Sequence, residues 1–186
     1  PASGLALLGD GTGSFSVLDP SVQGLWISTL DLASGPTGMD MTSVVQIGSD
    51  VYVSSGDTID IFDMTSWRWA KPITGIGQDI TAMASDGYVL YVATEDPVNL
   101  YEMDTSGNVL RIWGSGDLAQ DHVVDLVWDD TGYLVASFSN EATVIDLATS
   151  SSNTYTWDIG IINDIATRSG IAYLASDTEG VLRIDL

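Results

Sequence analysis

Short apolar runs along the chain alternate with clusters of Gly, Asp, Ser, Thr and Asn, a pattern of many brief strands joined by tight turns, with essentially no helix expected. The most legible stretch is Asp121 to Asp146, DHVVDLVWDDTGYLVASFSNEATVID. Val123 to Trp128 predicts one strand, Asp129 to Gly132 a turn, Leu134 to Ser137 a second strand and Ala142 to Asp146 a third. The same succession recurs in Ile80 to Asp104, ITAMASDGYVLYVATEDPVNLYEMD, and in Asp164 to Asp185, DIATRSGIAYLASDTEGVLRID. Each has an apolar strand, a turn, a Tyr-apolar-Ala strand and a strand that closes on Asp.

Two residue classes keep time with this pattern. Trp26, Trp69, Trp113 and Trp157 lie 43, 44 and 44 residues apart, and Asp19, Asp63, Asp104, Asp146 and Asp185 recur at 44, 41, 42 and 39. A period of roughly 40 to 45 residues points to one four-stranded antiparallel sheet per repeat, the blade of an all-β propeller. Five repeats are expected, at about 1–37, 38–74, 75–117, 118–158 and 159–186 of a single propeller domain. The N-terminal SGLALLGDGTGSFSVLD, Ser3 to Asp19, overlays SGIAYLASDTEGVLRID, Ser169 to Asp185. The first repeat therefore starts at its second strand and the last ends after its third, so that three complete blades stand between two incomplete ones. That strand sum of three, four, four, four and three reads as an excerpt of a larger propeller, or as one that borrows strands from a partner. Exposed edges at Leu5 to Leu8 and Val181 to Leu186 make self-association through the terminal blades an expectation. A start at Pro1 without Met suggests a processed or trimmed product.

The stretch Asp121 to Asp146 resembles a WD40 repeat, through His122 ahead of the first strand, WDDTGYL at the turn, ASFSNEATV for the second hairpin and Ile145-Asp146 where that family has Trp-Asp. No other repeat carries the leading His. The remaining repeats are similar to YVTN-like, two-component-regulator-type and quinoprotein-like blades. By analogy with the WD40 position, His122 is expected to hydrogen-bond within its blade.

Composition narrows the partners. The chain has 26 acidic residues against 5 basic ones, a formal charge of −21, and Lys71 is its single lysine. Binding to phosphate backbones needs clustered Lys and Arg, so nucleic acid is not an expected partner. Part of the Asp content suits β-turns, and the rest suits a saline setting, halophilic or marine, in which self-repulsion is screened. Absence of cysteine excludes disulfides, thiol catalysis and thiolate metal sites. No apolar run is long enough to cross a bilayer as a helix, and no membrane insertion is expected.

Candidate chemistry is sparse. An acid precedes or opens each innermost strand: Asp40 in GMDMTSVV, Asp79 in GQDITAMA, Asp125 in VVDLVWDD and Asp164 in INDIATRS. If the four are equivalent they ring one mouth of the central channel and could hold a hard cation, with Ca2+ the candidate, whereas the plainer reading has each Asp accept backbone N–H bonds in its own turn. The aspartates closing the third strands read as turn residues. The four periodic tryptophans read as filling between adjacent blades, while Trp67, out of step and beside Arg68, is the candidate ligand contact. With a single histidine and no P-loop, HExxH, GxSxG or GxGxxG in its required context, no residue is assigned a catalytic role. Two classes stay open: a non-enzymatic binding or scaffold module of a larger secreted or cell-surface protein, engaging a protein or small ligand on a propeller face, and a metal- or cofactor-binding enzymatic propeller of quinoprotein-like, hydrolase or lyase type. A lectin-like sugar binder is a third.

Overall fold

A computed structural model of the chain describes residues 6–9, 14–18, 26–31, 41–114, 116–118, 122–156 and 160–186, with side chains from residue 41 onward. The chain forms two compact units, Pro1–Met41 and Thr42–Leu186. In the first, β1 (Ala6–Gly9), β2 (Ser14–Leu18) and β3 (Trp26–Asp31) make one three-stranded antiparallel sheet in the order β1-β2-β3, here sheet I. The first strand meets the second from Ala6 opposite Leu18 to Gly9 opposite Phe15.

The second unit holds four sheets. Sheet II consists of β4 (Met41–Ile47), β5 (Asp50–Ser55), β6 (Thr58–Asp63) and β7 (Arg68–Trp69), and sheet III of β8 (Ile80–Ser85), β9 (Leu90–Thr94), β10 (Asn99–Met103) and β11 (Val109–Trp113). Sheet IV consists of β12 (Asp125–Asp129), β13 (Tyr133–Ser137), β14 (Glu141–Asp146) and β15 (Ser151–Thr156), and sheet V of β16 (Ile162–Thr167), β17 (Ile171–Ser176) and β18 (Gly180–Asp185). Sheets II to IV are up-and-down meanders, and no helix occurs among the described residues. Among the described residues the sheets hold three, four, four, four and three strands, the sum expected from the overlay of the two terminal segments.

The closing aspartates explain why the meanders turn where they do. Asp63 Oδ1 accepts from the N–H groups of Thr65 (2.8 Å) and Ser66 (3.3 Å), and Oδ2 from the Ser66 hydroxyl (2.6 Å). Asp104 repeats the device with the N–H of Ser106 and Asn108 (2.9 Å each), and Asp146 with those of Ala148 (2.9 Å) and Thr149 (3.3 Å). A carboxylate that collects several donors is favoured in its charged form, and these bonds hold all three carboxyls below the usual Asp range. Gly107, in the turn after Asp104, combines φ +87° with a close approach: a Cβ there would lie 2.5 Å from Cγ2 of Ile73 on the neighbouring sheet.

Adjacent sheets of the second unit pack face to face. Ile59 and Ile61 of sheet II meet Ile80, Leu90 and Met103 of sheet III. Tyr91, Leu100 and Trp113 of sheet III meet Leu126, Leu134 and Ile145 of sheet IV. Val135 and Val144 of sheet IV meet Ile165, Leu174 and Ile184 of sheet V. The second strands of sheets II to IV and the third strands of sheets II and IV are covered on both faces, which is why DVYVSS and YLVAS read as nearly continuous apolar runs instead of alternating ones. Trp113, on an outer strand, fills the gap between sheets III and IV as its periodicity implies. The side chains of Trp26 and Trp157 lie outside the described residues.

Leu134, with no exposed surface between sheets III and IV, tests the packing. Leu134→Ala is expected to lower unfolding free energy by about 2–5 kcal/mol, against less than about 0.5 kcal/mol for Val181→Ala at an exposed position. Urea denaturation of the two variants checks this, and equal losses would contradict the packing described.

Candidate functional site

The acids expected to be equivalent are separated by backbone register. In sheets III, IV and V, Leu90, Leu134 and Ala172 stand opposite the last residue before the closing Asp, namely Met103, Ile145 and Ile184. Three residues further along come Ala93, Ser137 and Ala175, and their first-strand partners are Ala82, Asp125 and Asp164. Asp125 and Asp164 are thus equivalent, and sheet III has Ala82 in their place. Asp79 lies three residues upstream of Ala82, outside β8 and exposed, where bulged pairing between Ile80 and Ala82 shifts the register. Asp40 lies outside the described residues.

The shared position has a definite task. Asp125 Oδ2 accepts the N–H of Ile165 in sheet V at 2.9 Å, and two repeats earlier Ser43 Oγ of sheet II accepts the N–H of Met83 in sheet III at 3.0 Å. Met83 and Ile165 hold the same register, opposite Val92 and Leu174. Leu126 is their counterpart in sheet IV, opposite Ala136. The sheet before it offers only Ala82, and the Leu126 N–H is met by its own Asp125 Oδ1 at 2.8 Å; the Ile165 N–H, besides Asp125, is likewise met by its own Asp164 Oδ1 at 3.0 Å. A polar side chain on one sheet therefore satisfies a first-strand N–H on the next wherever the sequence supplies one.

This arrangement brings the carboxyl of Asp164 close enough to that of Asp125 to act on its ionisation. Burial pushes the Asp125 carboxyl above the usual Asp range, and the adjoining Asp164 adds to the rise, while the N–H groups of Ile165 and Leu126 oppose it. Burial likewise raises the Asp60 carboxyl on β6. Among the described residues no three His, Asp or Glu side chains come close enough together to share a metal ion. Oxygen-only donors at Asp125 and Asp164 suit a hard cation such as Ca2+, yet the pair offers few of the six to eight oxygens that ion takes.

Other polar side chains also tie sheets together. Asp129, buried in the first turn of sheet IV, accepts from the Thr131 N–H (3.0 Å) and hydroxyl, and from the Gly170 N–H of sheet V (3.4 Å). Arg111 of β11 donates to Leu147 O (3.2 Å) and Ser150 Oγ (2.7 Å) on sheet IV, pairs with Glu102 (3.3 Å), and sits 5.1 Å over the Trp113 ring. Gln78, the neighbour of Asp79, gathers donors onto Oε1 from Thr94 (3.0 Å), Asn99 (3.3 Å) and Tyr101 (3.3 Å). Nothing in the sequence pattern marked Gln78, because it lies in a linker and its partners come from two strands of the sheet ahead. His122 Nδ1 meets Glu95 Oε2 of the preceding sheet at 2.9 Å, a bond that joins two repeats.

Trp67 and Arg68, the candidate ligand contacts, sit side by side at the outer rim of sheet II. Trp67 adopts φ 55°, is 45% exposed and rests edge-on against Phe62 at 5.9 Å, and Arg68 is exposed opposite Asp63.

No protein-family model matches the chain, and no curated protein matches its sequence. Solved structures do resemble it in shape. A structure of U3-55K superposes with TM-score 0.81 at 14% identity, covering 96% of this chain and 57% of that one. The WD40 repeats of RRP9 give 0.81 at 14%, over 96% and 56%. A chain of the Mitotic Checkpoint Complex gives 0.75 at 17%, over 97% and 56%. The chain thus spans little more than half the length of these solved chains. Identities this low speak to fold alone, and the fold is that of WD40-repeat propeller blades.

Proposed function

We propose that the chain is a non-enzymatic scaffold module that binds proteins. The observation that carries this reading is the employment of its polar groups. Asp125, Asp129, Arg111, Gln78 and the closing aspartates each hold one strand or sheet to another, which is framework chemistry. Resemblance to WD40 propellers, one of them solved within a complex, agrees with a surface built for partners. Sparse cations and a charge of −21 extend the proposal to a saline setting at or outside the cell surface, where screening relieves self-repulsion. The rival reading, Ca2+ held around Asp125 and Asp164, has the carboxyl pair in its favour.

Thermal unfolding in CaCl2 and in NaCl at matched ionic strength separates the two. The scaffold reading expects NaCl to raise Tm and CaCl2 to raise it no further, with EDTA without effect. A Ca2+-specific, saturable rise would establish the metal site instead.

The pH dependence of Asp125 has a definite sign. Its folded pKa is raised, so between that value and the unfolded value near ~3.9 the native state binds more protons, and stability increases as pH falls through this window. Below it, the depressed Asp63, Asp104 and Asp146 are protonated and their contribution is lost. Asp125→Asn is expected to lose the share of the gain on mild acidification that Asp125 supplies, retaining that of Asp60, and to keep the loss in stronger acid. Urea midpoints at half-unit pH steps read this out, and identical profiles for the two proteins would show that the carboxyl is not in the desolvated contact described.

A further inference from the structure

The outer strands of sheets II, III and IV are not alike. β7 is two residues long and is followed by Lys71 and Pro72, and β15 reads Ser-Ser-Asn-Thr-Tyr-Thr; both are ordinary ways to blunt an edge. β11 reads Val-Leu-Arg-Ile-Trp, with Val109, Leu110 and Ile112 exposed by 48%, 56% and 54%. It pairs with β10 along one side and is the last strand of its sheet, with no partner strand on its far side among the described residues. Ile112 stands opposite Tyr101, and Tyr101 packs on the cluster shared with sheet II. The apolar side chains of β11 therefore continue an interface already used between sheets, past the point where the short β7 ends.

We propose that β11 is a docking strand, to which an extended, basic segment of a partner protein adds as a further strand with its apolar side chains on Leu110 and Ile112. The inference rests on the scaffold reading and names its partner class. An open edge offers a row of N–H and C=O groups, a chemistry that another extended strand satisfies and a helix does not. The charge of the occupant follows from the surroundings. Asp104 lies just before β11 and Asp117 just after it, while Arg111, the cation of the strand, is engaged by Glu102, Leu147 O and Ser150. A second copy of the chain would bring the same acids to the same edge and a further −21 charge, so a lysine-bearing segment is the better fit.

Fluorescence anisotropy with a labelled octapeptide of alternating valine and lysine tests the proposal on the intact chain. Three companions are needed: the same peptide with alternate backbone N-methyl groups, a valine–glutamate peptide, and the chain variants Ile112→Thr and Leu110→Thr/Ile112→Thr, which keep strand propensity and whose folding is checked by circular dichroism. Binding of the lysine peptide is expected to weaken with salt, to fall about tenfold in the double variant, and to be absent for the N-methylated and glutamate peptides. Equal binding of the N-methylated peptide, or no change in the variants, would reduce the effect to charge attraction and overturn the docking strand. A dimer seen by sedimentation that the double variant dissolves would assign the edge to a second copy and likewise overturn it. If the peptide fails while calcium adds nothing beyond ionic strength, the docking strand falls and the scaffold reading stands.

Discussion

An antiparallel sheet of three or four short strands has two faces and cannot bury either by itself. Sheets III and IV, each four strands wide, solve this by lying against neighbours on both sides, and the clusters at Leu90 and Met103, at Leu134 and Trp113, and at Val135 and Leu174 are successive instances of one interface. Burial of such side chains contributes on the order of 1.5–3 kcal/mol each, well above what single exposed ion pairs supply. The other features of the second unit, including its turns, its polar ties and its exposed edge, are arranged around that stacking. Stability in such an array is shared between sheets and their nearest neighbours.

The polar ties show how a repeat tolerates substitution. One register position carries Ser43, Ala82, Asp125 and Asp164 in turn if Ser43 is placed by the bond it makes. Ser43 and Asp125 reach across to the next sheet, and where Ala82 cannot, Leu126 finds its acceptor at home. Desolvation of Asp125 is a consequence of that reach: the carboxyl enters the seam between sheets IV and V to meet Ile165, and its raised pKa follows without any appeal to catalysis. Perturbed carboxyls often mark active sites, but structural networks perturb them too.

Much of the architecture is visible in the amino-acid sequence because turn chemistry is local. Asp63, Asp104 and Asp146 need two or three N–H donors within four residues, so their spacing reports the third strand of each repeat directly. Trp113 keeps step because its neighbour gap repeats. The site was harder to read. An acid ahead of an apolar run looks the same at Asp79 and Asp125, and only the strand pairing, which sets Ala82 opposite Ala93 as Asp125 stands opposite Ser137, shows that they occupy different registers. His122 meeting Glu95 depends on which loops of two repeats lie side by side, and Gln78 collecting three donors depends on how its linker folds back over two strands of its own repeat, neither of which a residue pattern displays. The two-residue length of β7 was equally hidden, since Lys71 and Pro72 interrupt a strand whose later residue Ile73 still bonds to Ile59.

A polar side chain at the repeated register position ties one sheet to the next, and amide hydrogen exchange in Asp125→Ala probes that tie most directly. In the unaltered chain the N–H groups of Met83, Leu126 and Ile165 are expected to be protected together. In the variant, exchange should accelerate at Leu126, which loses its side-chain acceptor, and by less at Ile165, which keeps its own Asp164 Oδ1, and stay unchanged at Met83, whose acceptor is Ser43. Unchanged protection at both Leu126 and Ile165 would contradict the account, and so would uniform acceleration at all three amides.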